Sequence, residues 1–114
     1  MLSERCGDGT MERINFDEEF VEPIMSGRKV TTVRRGIKSY PVGRIVELTA
    51  GGNTFALARV KKVVVKRVRE LNDDDAKRDG FESRNDLLSA LKKIYGDVRD
   101  SEFVTVVHFE VLKK

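Results

Sequence analysis

The chain contains no tryptophan and no glutamine, and it has one cysteine, one histidine and two prolines. A single Cys6 excludes an internal disulfide and any cysteine-based zinc site. With His108 as the only histidine, no structural metal site is expected, and imidazole acid–base chemistry has one candidate at most. No apolar run approaches the roughly 20 residues of a membrane-spanning helix, and no signal peptide is visible. A cytoplasmic protein with no membrane partner and no cofactor is therefore expected.

What the chain has in excess is charge. Charged residues make up 36% of it, well above the usual quarter, with 22 Lys and Arg against 19 Asp and Glu. Such a composition, poor in thermolabile residues, fits a heat-loving source. The net charge of +3 permits a nucleic-acid partner without requiring one. A basic footprint would have to come from local clustering.

A chain of 114 residues suits one domain. Residues 1–12 hold two glycines among polar neighbours, show no periodicity and read as a flexible tail. The domain is expected over 13–114. Arg13 to Phe16 reads as a strand, and Asp17 caps a short helix with Glu18 and Glu19 in its first turn. Pro23 is expected to distort that helix, and Gly27 to stop it. Strands follow over 29–34 and 44–49. Gly51-Gly52-Asn53 then turns the chain into a long strand with a bulge between Val60 and Val65. Asn72 with Asp75, and Ser83 with Asp86, open two helices that end at Gly80 and near Tyr95. A last strand over 102–112 places Phe103, Thr105, Val107, Phe109 and Val111 on one face. This order of elements predicts an α+β domain on a mixed, barrel-like sheet.

The sharpest chemical signal is Gly27-Arg28-Lys29-Val30-Thr31-Thr32-Val33-Arg34. As a strand it puts Arg28, Val30, Thr32 and Arg34 on one face and Lys29, Thr31 and Val33 on the other. A turn or bulge at Gly27 would bring Lys29 beside Thr32. Lys, Thr and Arg in one pocket suit an anion or a carbonyl. The competing reading is a charged edge strand that resists aggregation. A second basic group, Arg59, Lys61, Lys62, Lys66, Arg67 and Arg69, reads as solvated charge. Sharing a face with Arg28, Arg34, Arg35 and Lys38, it would suit phosphates. Asp73 to Asp75 are explained by the helix dipole alone, whereas Asp79 sits at a helix end that disfavours a carboxylate. A partner is expected there, a Lys or a substrate. Tyr40 and Phe81 either stack on a base or pack at the rim of the core. His108 reads as an outward-facing strand residue.

Gly27-x-Lys29-x-x-Thr32-x-Arg34, after an apolar helix and before Gly43 and a strand, resembles the G-x-K-x-x-T-x-R signature of the ASCH domain family. The resemblance runs on through Asn72 to Gly96 and the final strand, covering about residues 13 to 112. It implies a PUA-like mixed β-barrel with helices flanking a cleft, and RNA or a modified nucleoside or nucleotide as ligand. Arg28, Lys29, Thr32, Arg34, Arg35 and Tyr40 are the nucleoside-binding candidates. A small bacterial branch of similar length resembles the chain further, and its members are N4-acetylcytidine amidohydrolases. That branch implies Lys29 as base and Thr32 as nucleophile. Its Glu position falls on Asp79, one methylene shorter. The sequence carries no signal for oligomeric state.

Overall fold

A fifteen-residue strand in a small domain must coil, and the architecture follows from that. The computed structural model describes residues 12–112, so the expected tail, apart from Glu12, lies outside the described residues. Five strands form one sheet: β1 (Arg13–Phe16), β2 (Thr31–Arg35), β3 (Ile45–Ala50), β4 (Asn53–Arg67) and β5 (Phe103–Val111). Their spatial order is β1-β3-β4-β5-β2. β1 pairs parallel with β3, and the other three pairings are antiparallel. The register shifts between Val60 and Lys62, within the stretch where the apolar phase wanders in the sequence.

The sheet curls into a half-barrel, matching the α+β, PUA-like expectation. Its edge strands β1 and β2 do not pair with each other. A side chain spans the seam instead, as Arg34 Nη2 on β2 donates to the Asn15 carbonyl on β1 at 2.8 Å. The inner face packs Phe16, Leu48, Val60, Val107 and Phe109 around Ile24 of α1 (Val21–Met25). The outer face carries α2 (Asp73–Arg78) and α3 (Arg84–Tyr95), whose Ala76, Leu87 and Leu91 cover Val33, Val104 and Val106.

That outer layer corrects the single-faced reading of the last strand. Val104 and Val106 are as fully buried as Val107, while Phe103 is 38% exposed. Helices cover the face that a solvated sheet would leave polar, so alternation is lost. Pro23 acts as anticipated. The helix around it is only five residues long, and a 3-10 turn over Glu18–Phe20 precedes it.

The cap of α2 forms as its residues dictate. Asp75 N–H donates to Asn72 Oδ1 at 2.9 Å, and Asn72 N–H returns a bond to Asp75 Oδ2 at 3.0 Å. The buried Asp75 carboxylate also accepts from Lys66 Nζ at 3.0 Å and Arg78 Nη2 at 3.3 Å. Burial alone would raise its pKa, but the Asn72 N–H and the Lys66 ammonium outweigh that and hold it below the ordinary value. A carboxyl depressed in the folded state stabilises the fold above its unfolded pKa of about 3.9. That contribution is lost as pH falls through the folded value. Asp75→Asn should therefore lower stability at pH 7 and flatten the loss of stability below about pH 4, read from urea midpoints across pH.

Candidate functional site

The backbone builds the site before any side chain enters it. After α1, the Pro23 carbonyl accepts the N–H groups of Arg28 and Lys29, each at 3.0 Å. Val30 N–H then donates to the Arg78 carbonyl at 2.7 Å, and Lys29 and Asp79 form an isolated antiparallel bridge. The exit of α2 is thus stitched to the entry of β2. Gly80 makes the approach possible. Its φ is +90°, and a Cβ there would stand 3.3 Å from Lys29 Cβ.

This bridge aligns two opposite charges in the interior. Lys29 Nζ donates to Asp79 Oδ1 at 2.7 Å, and the two residues are 3% and 5% exposed. Thr31 Oγ1 donates to the same carboxylate oxygen at 3.2 Å. The sequence asks for a partner to Asp79, and Lys29 is that partner. Burial pushes the Lys29 ammonium below its usual range and the Asp79 carboxyl above its own, with their mutual attraction opposing both shifts. A nearby Arg34 charge lowers Lys29 further.

Over the pair lies an aromatic wall. Lys29 Nζ is 4.9 Å from the Phe20 ring centroid, and Phe20 meets Phe81 edge to face at 6.5 Å. Arg34 stacks its guanidinium carbon 4.9 Å from the Phe16 centroid. Its Nε donates to Thr32 Oγ1 at 3.1 Å. Together these groups line a cleft of about 230 Å³ between the sheet seam and α3, which closes it with Leu87, Leu91 and Tyr95.

Lys29, Thr32, Arg34 and Asp79 therefore share one cleft. The other candidates stand elsewhere. Arg28 is exposed and pairs with Glu22. Arg35 ties β2 to the end of α3, donating to Glu102 Oε1 at 2.8 Å and to the Tyr95 carbonyl at 3.2 Å. Tyr40 is half-buried against the inner core, outside the cleft lining. Phe81 lines the cleft and also packs on the outer core. Lys29 Nζ bonds to Asp79, and among the described residues no hydrogen bond joins it to Thr32.

Sequence reasoning passed over Thr31, Phe16 and Phe20. Thr31 was within reach, because strand alternation already sets it on the Lys29 side. The two phenylalanines flank a helix cap and carry the same signal as core residues.

Comparison with known families decides the class. The model of the ASCH domain matches residues 11–113. The chain belongs to the ASCH domain family. No curated protein matches it. Among solved structures, the ASCH protein of Zymomonas mobilis superposes with a TM-score of 0.63 at 21% identity, over 86% of this chain and 65% of that one. An ASCH domain from Lactobacillus crispatus gives 0.60 at 18% identity, over 79% and 68%. A hypothetical protein, PH0355, gives 0.68 at 18% identity and is covered over 97% of its length. These likenesses show the fold. This ASCH chain spans about two-thirds of the Zymomonas protein.

Removing one member of a buried ion pair strands the other, at a cost of about 3–5 kcal/mol. Lys29→Met is expected to destabilise the domain by about that amount in urea unfolding. Adding Asp79→Leu should recover most of the loss, since an apolar pair carries no desolvation cost. If the double variant were as unstable as the single one, the pair would not be the source of the loss.

Proposed function

We propose that this ASCH domain binds RNA or a modified nucleoside in the cleft lined by Lys29, Thr32, Arg34 and Asp79. The observation that carries the reading is the joining of an aromatic wall to convergent polar groups in a small volume. Phe16, Phe20 and Phe81 offer apolar faces, while Arg34 and Thr32 stand beside them at the seam. Unstacked bases are recognised in this way, by stacking on aromatic or guanidinium planes and hydrogen bonding at their edges. About 230 Å³ lies under the roughly 300–1,000 Å³ of drug-sized sites, which favours a single base or nucleoside.

A second reading, deacylation of N4-acetylcytidine, is favoured by one feature. The amine of Lys29 is buried and held below its ordinary pKa, and a general base near neutral pH needs that. Lys29 would take the Thr32 hydroxyl proton as Thr32 Oγ attacks the acetyl carbonyl, and would return it to the departing N4 amine. Water would then hydrolyse the acetyl-threonine ester, releasing acetate. Arg34, whose Nε reaches Thr32 Oγ1 at 3.1 Å, would hold the carbonyl oxyanion. The Nζ must first loosen from Asp79 Oδ1.

Two measurements follow. Affinity for single-stranded RNA should fall with salt at a slope of roughly 0.7 per phosphate contacted, whereas a nucleoside carries no phosphate and should bind with little salt dependence. Failure of both RNA and nucleoside to bind at millimolar concentration would refute the cleft reading. With N4-acetylcytidine at elevated temperature, the second reading expects cytidine to form and Thr32→Val to abolish turnover while leaving nucleoside affinity within several-fold.

A further inference from the structure

The outer face of the sheet carries a second concave site, which shares no lining residue with the cleft. It is about 430 Å³ in volume and is lined by Lys62, Val64, Lys66, Asp75, Arg78, Val106 and His108. The register shift after Val60 creates it. Past the shift, Lys62 pairs with His108 and Val64 with Val106, so Lys62 and Lys66 stand on the face that α2 covers. Arg78 closes the site from the last turn of α2, one residue before Asp79 of the cleft.

Charge in this site is unbalanced. Lys66 and Arg78 divide one carboxylate, Asp75, whose oxygens also serve the Asn72 N–H. Lys62 has no acidic partner within 4 Å among the described residues. Three basic side chains thus line one site with a single carboxylate, which two of them already share, and the imidazole of His108 lies beside them. Burial above all, and then the Lys62, Arg78 and Lys66 charges against the opposing Asp75, hold His108 below its usual pKa. Groups that face His108 are Lys62 and Lys66 from β4 and Asp75 and Arg78 from α2. On its other side, Lys61 and Glu110 share an apolar groove with it.

We propose that Lys62, Lys66, Arg78 and His108 form a phosphate-binding site. A tetrahedral dianion supplies the negative charge that the site lacks. Guanidinium and ammonium groups donate to phosphate oxygens with charge assistance, and the imidazole gains a second N–H donor once protonated. The site stands whatever the cleft binds. Its phosphate is either a free ion or nucleotide or a backbone group of a nucleic acid, and the two sources differ in the strength they predict.

The only histidine in the chain makes the test direct, because the imidazole gives a single pair of resonances. Inorganic phosphate is titrated into the full chain at constant ionic strength, with chloride as the control. The His108 signals should move saturably with phosphate, and the pKa of His108 should rise in its presence. Lys62→Ala removes an exposed side chain that pairs with no acid, so folding is preserved. It should weaken phosphate binding by about tenfold. Lys62→Arg should restore it. A single-stranded oligoribonucleotide acting at far lower concentration than phosphate identifies a nucleic-acid backbone as the source. Equal potency of phosphate identifies the free ion. A His108 response to phosphate no greater than to chloride, or one that Lys62→Ala leaves unchanged, overturns the proposal.

Discussion

The buried ion pair between Lys29 and Asp79 is the constraint on which the rest of the site depends. Two charges removed from water are costly, and their attraction repays that cost only when the geometry is good and further hydrogen bonds are made. Both conditions hold here. The 2.7 Å contact is backed by a backbone bridge between the same two residues and by the Thr31 hydroxyl. Gly80 lets the helix exit come close enough. The pair fastens α2 to the entry of β2, and with α2 comes α3, the far wall of the cleft. Stability and site geometry are thus one arrangement.

Arg34 has the complementary task. It spans the seam where the half-barrel would otherwise be open, by donating to the Asn15 carbonyl from Nη2, and it holds Thr32 Oγ1 from Nε of the same guanidinium. One side chain therefore joins the sheet edges, orients the hydroxyl and offers a cationic face beside Phe16. An Arg fork suits such multiple duty, where a lysine would offer a single point charge. The two walls meet around Phe16, whose ring lies within 6.3 Å of both Phe55 and Phe109 in the core. The floor of the cleft is continuous with the packed interior.

Much of this was legible in the sequence. Caps at Asn72 and Ser83, the Gly51-Gly52 turn and the phase slip after Val60 act through local chemistry, and the structure follows them. Asp79 was legible as an anomaly, since a carboxylate at a helix end needs a partner. Long-range consequences were not. Strand alternation sets Arg34 and Arg35 on opposite faces, but which of those faces meets the cleft and which braces α3 follows only from the strand pairing. The burial of Val104 and Val106 depends on helices that pack from elsewhere in the chain. Phe16 and Phe20 carry an ordinary core signal, so their place on the cleft wall emerges only when the seam is formed. Lys62 and Lys66 read as solvated charge until the bulge turns them towards Arg78.

The central claim is that burial of the Lys29–Asp79 pair sets the chemistry of the cleft. Nitrogen-15 NMR of the lysine side chains tests it most directly. The Lys29 ammonium should titrate below the ordinary lysine value of about 10.4, and its resonance should move saturably when cytidine or N4-acetylcytidine is added. A Lys29 signal that titrates at the ordinary value and ignores both nucleosides would contradict the account.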